Sequence, residues 1–240
     1  LKLTVFQTIT FIGILTSAIA QTNITQQNQS WWAYISQTRI SNRISVGADG
    51  HLNPTAFAML AGYVNYHFKT EKNLSTAVGY AHLWIPIQQT DIIRIEQRAW
   101  GQVLLSYNKG KSWRFTHRFR CDARFREKIV NNQKTDDYNF NWRLRYMFQL
   151  RYNFPKKETD KGQYYAAIAN EYLFNVGDEI VNKIRFDQNR VSLSIGYQIK
   201  NITLQVGYMN RTSKAPTRET YTMNHTLLVW VFHNFDLRKK

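Results

Sequence analysis

Only one cysteine, Cys121, occurs in the 240 residues. No disulfide can form within the chain, and no metal site built on several thiolates is available. Proline and glycine are also scarce, at 4 and 11, which excludes a collagen-like repeat and a long flexible linker. Past residue 20 no apolar run approaches the roughly 18 residues of a membrane-spanning helix. Carboxylates are few: 16 Asp and Glu stand against 32 Lys and Arg, a formal charge of +16. Such a surplus suits nucleic acid, anionic lipid or an acidic polymer, and the placement of the charges decides among them.

What is present begins with residues 1–20, LKLTVFQTITFIGILTSAIA. Lys2 is a short positive start, an apolar run follows, and Ala18-Ile19-Ala20 carries the small-x-small pattern of signal-peptidase substrates. The segment reads as a cleaved secretory signal peptide ahead of Gln21, which leaves 21–240 as a single domain. Gln7, Thr8 and Thr10 interrupt the run, which disfavours an anchoring helix. Export implies an oxidising compartment, so the domain must hold without covalent staples.

The mature chain is dominated by a period of two, the period of a β-strand. In residues 139–154 one face carries Phe140, Trp142, Leu144, Tyr146, Phe148, Leu150, Tyr152 and Phe154. The other carries Asn139, Asn141, Arg143, Arg145, Met147, Gln149, Arg151 and Asn153. Residues 113–126 repeat the arrangement, with Trp113, Phe115, His117 and Phe119 against Arg114, Thr116, Arg118, Arg120, Asp122, Arg124 and Arg126. Residues 92–107 place Arg94, Glu96, Arg98 and Gln102 together. Segments 189–199, 201–211 and 221–235 each gather Val, Ile, Leu and Tyr on one face.

These strands are longer than the 5–6 residues usual in globular proteins. In a soluble sandwich, adjacent strands would also expose rows of arginine to one another. A membrane barrel accommodates both features: apolar residues face lipid, polar residues face the lumen, and backbone satisfaction in lipid requires closure. The expected fold is therefore all-β, an antiparallel up-and-down transmembrane β-barrel. Short connections fall at 41–42, 71–73, 108–111 and 200–201. Longer ones fall near 50–56, 85–91, 127–137, 177–183 and 213–219, and the stretch 155–162 is long for a short-turn side. Eleven segments can be counted. Bacterial single-chain barrels have even strand numbers, which gives about twelve, or ten, with the extra strand expected near the N-terminus.

The order of several motifs resembles the domain of unknown function 2490 family of predicted outer-membrane β-barrel proteins. They are Glu96-Gln97-Arg98-Ala99-Trp100-Gly101-Gln102, His117-Arg118-Phe119-Arg120 with Arg124-Phe125-Arg126, and Asn170-Glu171-Tyr172-Leu173-Phe174-Asn175. Phe186-Asp187-Gln188-Asn189-Arg190 and the pairs Gly196-Tyr197 and Gly207-Tyr208 follow. The resemblance spans roughly residues 30–235. Asp122 stands where the family pattern suggests Glu. The resemblance implies a barrel in the outer membrane of a Gram-negative cell, and it implies no activity.

Alternation directs Arg94, Glu96, Arg98, Arg114, Arg118, Arg120, Asp122, Arg124, Arg126, Arg143, Arg145, Arg151, Glu171 and Arg190 into the lumen as one charge network, with Arg211 beyond it. Asp187 has the opposite parity from Arg190, which leaves its direction open. Three functions fit. Cross-strand Arg–carboxylate pairs could brace and largely plug a narrow barrel. The surplus of arginine could instead make a passive anion-preferring pore or a channel for an anionic solute. The third is a lipid-modifying enzyme at the rim, where His51 and His82 are placed near loops; no Ser or Asp is tied to them by a motif, so no catalytic residue is named.

Inward arginines and export argue against nucleic-acid binding. Lys72, Lys109, Lys111, Lys156, Lys157 and Lys161 fall on the short-turn side, where they meet solvent or anionic headgroups. The expected partners are outer-membrane lipid, a Sec-type translocon and the barrel-assembly machinery, which the aromatic-ended strand Tyr221 to Phe235 suits, with an anionic solute in the pore reading. No phosphate loop, His/carboxylate metal spacing or cysteine pair points to a cofactor or a metal.

Overall fold

The computed structural model of the chain describes residues 23–70, 73–87, 90–156, 159–177, 180, 185–214 and 220–238. The signal-peptide segment, Lys72, Lys157 and most of the connections at 177–183 and 213–219 lie outside the described residues. The rest is β-structure, in strands β1 (Asn23–Arg39), β2 (Ile44–Asn53), β3 (Phe57–His67), β4 (Asn73–Pro86), β5 (Ile93–Lys109) and β6 (Trp113–Val130). They continue with β7 (Gln133–Asn153), β8 (Gln163–Val176), β9 (Phe186–Ile199), β10 (Ile202–Lys214) and β11 (Thr220–Asp236). Each strand pairs with its sequence neighbours, and β1 pairs with β11, so the sheet closes into a barrel.

All ten pairings between consecutive strands are antiparallel. The closing pair is parallel, in unbroken register from Asn23↔Thr220 to Arg39↔Asp236. The count of eleven sits within the expected range, and its oddness has a simple cause. In an up-and-down meander an odd last strand runs in the same direction as the first. The parallel β1–β11 ladder therefore closes the wall with the eleven strands of the described residues, and the extra strand expected near the N-terminus is not among them.

The last residues of β1, β3, β5, β7 and β9, with the first residues of the strands that follow them, form what we term the lower rim. The last residues of β2, β4, β6, β8 and β10, with the first residues of the strands that follow them, form the upper rim. Two connections expected to be long prove short. The chain stays in β2 as far as Asn53 and turns within 54–56. The 127–137 region belongs to a hairpin whose tip is Asn131-Asn132, both with positive φ, 50° and 58°. Asparagine tolerates this left-handed conformation, and two such residues in succession make the type I′ turn that suits a twisted hairpin. The polar run EKIVNNQKTDD is thus ladder rather than loop.

Alternation along these strands separates the two faces of the wall. The outward face is apolar and half-exposed, as at Leu60 60%, Val78 65%, Leu193 60% and Ile195 62%. Outward rings gather in two bands. Near the upper rim are His82–Trp84, Phe125–Phe140–Trp142 and Phe174–Phe186. Near the lower rim are Tyr34–His233, Tyr107–Phe115, Trp113–Tyr152 and Tyr164–Tyr197. β-Branched and aromatic residues suit such a pleated, well-packed surface.

Inward glycines sit opposite inward aromatics. Gly47 faces Tyr63, Gly79 faces Trp100 and Gly196 faces Tyr165 in register. Each ring lies across the space that a Cβ on the glycine would occupy. The rings therefore lie along the wall instead of standing into the lumen.

Candidate functional site

The inward face of β5–β9 carries the arginines and carboxylates. Glu96 on β5 is fully buried, and Oε1 accepts from Arg98 Nε and Arg124 Nε, both at 2.6 Å. Its Oε2 accepts from Arg124 Nη2 at 3.0 Å, making a two-pronged pair across the β5–β6 ladder. Asp122 on β6, also fully buried, accepts from Arg120 Nε at 2.6 Å and lies 3.6 Å from Arg145 Nη1. Glu171 on β8 serves three strands: Arg118 at 2.6 Å, Arg145 at 2.8 Å and Arg190 at 3.5 Å. Arginines held between carboxylates on neighbouring strands link the walls from β5 to β9.

Asp187, whose direction alternation left open, joins the same wall. The register shifts between β8 and β9, where Leu173 pairs with Gln188 but Phe174 pairs with Phe186. Asp187 is the extra residue of this bulge. A bulge re-aims a side chain, and the carboxylate reaches Arg143 Nη2 at 2.7 Å.

Three of the remaining arginines take neutral partners. Arg126 donates to Asn141 Oδ1 at 3.1 Å, and Asn141 donates to Asn175 Oδ1 at 3.1 Å. Arg151 donates to Asn153 Oδ1 at 2.7 Å and lies 3.6 Å over the Tyr165 ring. Arg211 donates to Gln29 Oε1 at 3.1 Å, from β10 to β1. Arg120 lies 4.0 Å over the Trp100 ring. Arg114 is exposed at the lower-rim end of β6, and Arg94 stands near the upper-rim end of β5.

Every arginine and carboxylate that alternation directed inward occupies an inward register position, but not all form one network. Arg94, Arg114, Arg126, Arg151 and Arg211 stand apart from the ion pairs among the described residues. Among the described residues, twelve arginines of β5–β10 project inward beside Glu96, Asp122, Glu171 and Asp187, with Arg39 of β1 and Asp49 of β2 on the same face, so the interior is cationic.

The lumen keeps a cavity of about 1390 Å³. Its lining runs from Arg39, Asn42 and Lys69 at the lower rim to Ala56 and Phe57 at the upper-rim end of β2 and β3. Barrels of eight strands are filled by side chains, whereas those of sixteen or more leave an aqueous channel. At eleven strands, side chains decide, and here they leave space beside the ladder. Opposite the arginines, the β1–β4 and β11 walls supply Trp31, Ile35, Met59, Leu83, Trp230 and Phe232.

One family model matches the chain. Residues 14–222 fit the family described as Protein of unknown function (DUF2490). The chain belongs to that family. No curated protein and no solved structure matches it. Membership of DUF2490 brings no activity with it, so function must be argued from the lumen.

The histidines are spread over both faces of the wall. His51 projects into the lumen from β2, where Nδ1 accepts from Trp31 Nε1 at 3.2 Å. His82 faces outward against Trp84. They lie on opposite faces of the wall, so the two do not share the rim position that sequence reasoning allowed for either. His67 Nε2 meets Ser45 Oγ at 2.8 Å at the lower rim, with Gln37 as the further partner of that hydroxyl and no carboxylate joined to the pair in its hydrogen bonds. Among the described residues no group of three or more His, Cys, Asp or Glu could hold a metal ion.

Proposed function

We propose that this DUF2490 protein is an integral outer-membrane β-barrel whose cationic lumen admits anions. The membrane reading is supported by the closed wall, its apolar outward face and the two bands of outward aromatics. Such girdles mark the two interfaces of outer-membrane barrels. A soluble barrel would leave this apolar face in water, far beyond the few hundred Å² that soluble monomers usually expose. Export by a Sec-type route and handling by the barrel-assembly machinery belong to the same reading.

The observation that carries the anion reading is the cavity beside the ladder. Paired arginines brace β5–β9 and border the cavity, Arg211 with its neutral partner borders it too, and carboxylates are too few to balance them, so a surplus of positive charge faces open space. Rings of arginine or lysine favour anions in pores. A bracing ladder and an anion-selective space are therefore two parts of one lumen rather than rival accounts.

The test is single-channel conductance of the refolded mature protein in planar bilayers under a salt gradient. The expected result is a small anion-selective current that falls after Arg145→Ala or Arg120→Ala. Silence from a verified folded barrel would overturn the pore and leave the braced scaffold.

A further inference from the structure

The two walls of the cavity differ in chemistry, and they meet at one corner. On β1, the Trp31 ring lies 5.3 Å from Phe57, 5.6 Å from Trp230 and 5.7 Å from His51. Four rings from β1, β2, β3 and β11 thus form an aromatic cluster on the cavity wall. Across from it, Arg190 on β9 and Arg211 on β10 are register partners. The Arg190 guanidinium carbon stands 5.5 Å from the Trp31 ring centroid.

These two arginines differ from those of the ladder. The short bonds of Arg190 go to the neutral Gln188 Oε1, at 2.9 and 2.6 Å, and its contact with Glu171 is 3.5 Å. Glu171 is already held at 2.6 Å by Arg118. Arg211 bonds to the neutral Gln29 Oε1, and its Nε is buried without a hydrogen-bond partner. The corner therefore combines two weakly neutralised guanidinium groups with an aromatic wall, in a space larger than the few hundred Å³ that small-molecule sites require.

We infer that this corner binds an anion carrying a flat apolar body, such as an aromatic carboxylate, in preference to a small inorganic anion. The carboxylate pairs with Arg190 and Arg211, whose planar donors match its two oxygens. The ring stacks on Trp31 and displaces water from the apolar wall. A bare phosphate or chloride gains only the charge and leaves that wall wetted. The inference rests on the anion-admitting lumen proposed above and names its ligand class.

The probes are 2-naphthoate, 2-naphthalenemethanol and inorganic phosphate. Each is titrated calorimetrically into the refolded barrel, with empty micelles as the blank. Naphthoate is expected to bind more tightly than both others. Arg211→Gln, which disturbs no carboxylate pair, is expected to weaken it about tenfold, the scale of one charge-assisted hydrogen bond. Trp31→Ala is expected to weaken naphthoate while leaving phosphate unchanged, and heat-dependent gel migration checks that each variant is folded. Equal binding of phosphate and naphthoate would overturn the inference and keep the anion reading. Equal binding of the alcohol and the carboxylate would overturn both. No binding by a folded barrel would overturn the inference alone, with conductance still deciding the pore.

Discussion

Substituting Glu96 by Gln isolates what the ladder contributes, because the shape is kept and only the charge is removed. Glu96 is fully buried and holds Arg98 and Arg124 through three short contacts. The amide keeps one acceptor oxygen but turns an NH2 group toward guanidinium N–H groups, so a donor meets donors. Breaking a buried pair by neutralising one partner costs about 3–5 kcal/mol, mostly because the other charge stays buried without compensation. Two arginines lose their partner here, while cavity water screens part of the cost, so the expected loss is about 3–4 kcal/mol. Urea unfolding of the barrel in lipid vesicles, followed by tryptophan fluorescence, measures it. Adding Arg124→Gln removes one stranded charge, so the double variant is expected to lose less than the sum of the singles. A loss below about 1 kcal/mol, the range of solvent-exposed pairs, together with additive singles, would refute a desolvated ladder.

Further outcomes follow from other parts of the wall. Asn131→Val puts a β-branched residue at a φ of 50°, and a loss of about 1–2 kcal/mol in the same unfolding assay is expected. Gly79→Ala directs a methyl group at the Trp100 ring and at the Gly62 carbonyl oxygen, 2.7 Å from the added Cβ. About 1–3 kcal/mol of overpacking is expected, with a change in tryptophan emission. Cys121, the single thiol, sits on the outward side of β6. A bimane attached there is expected to be quenched by nitroxide-bearing lipid and spared by aqueous iodide; the reverse pattern would sink the lipid-facing assignment.

Much of this architecture can be read from parity alone. Arg143 and Arg145 share a face with Asn141, and that face is inward from Asn139 to Asn153. What the sequence leaves open lies where parity carries no information. Asp187 sits in a bulge, and an inserted residue cancels the alternation on which its direction would be judged. The parallel closure depends on which strands meet, a long-range fact with no local signature. Asn131-Asn132 reads as loop by polarity, yet two left-handed residues make the tightest hairpin. Trp31 and Trp32 are adjacent aromatics on opposite faces, and only the register with β2 and β11 shows which one lines the cavity. The cavity itself depends on how the rings lie, which side-chain packing sets.

The odd strand count has a consequence for engineering the molecule. In an even-stranded barrel the two ends of the wall finish on one rim, and a short linker can join them so that the chain is reopened elsewhere. Here β1 begins at the upper rim and β11 ends at the lower. A linker from Asp236 to Asn23 would have to travel the length of a 17-residue strand, roughly 55 Å at about 3.3 Å per residue. It would run either through the lumen or across the apolar exterior. Circular permutants with short linkers are therefore barred by geometry. Reporter tags fused at the start of β1 and at the end of β11 would sample opposite mouths of the barrel.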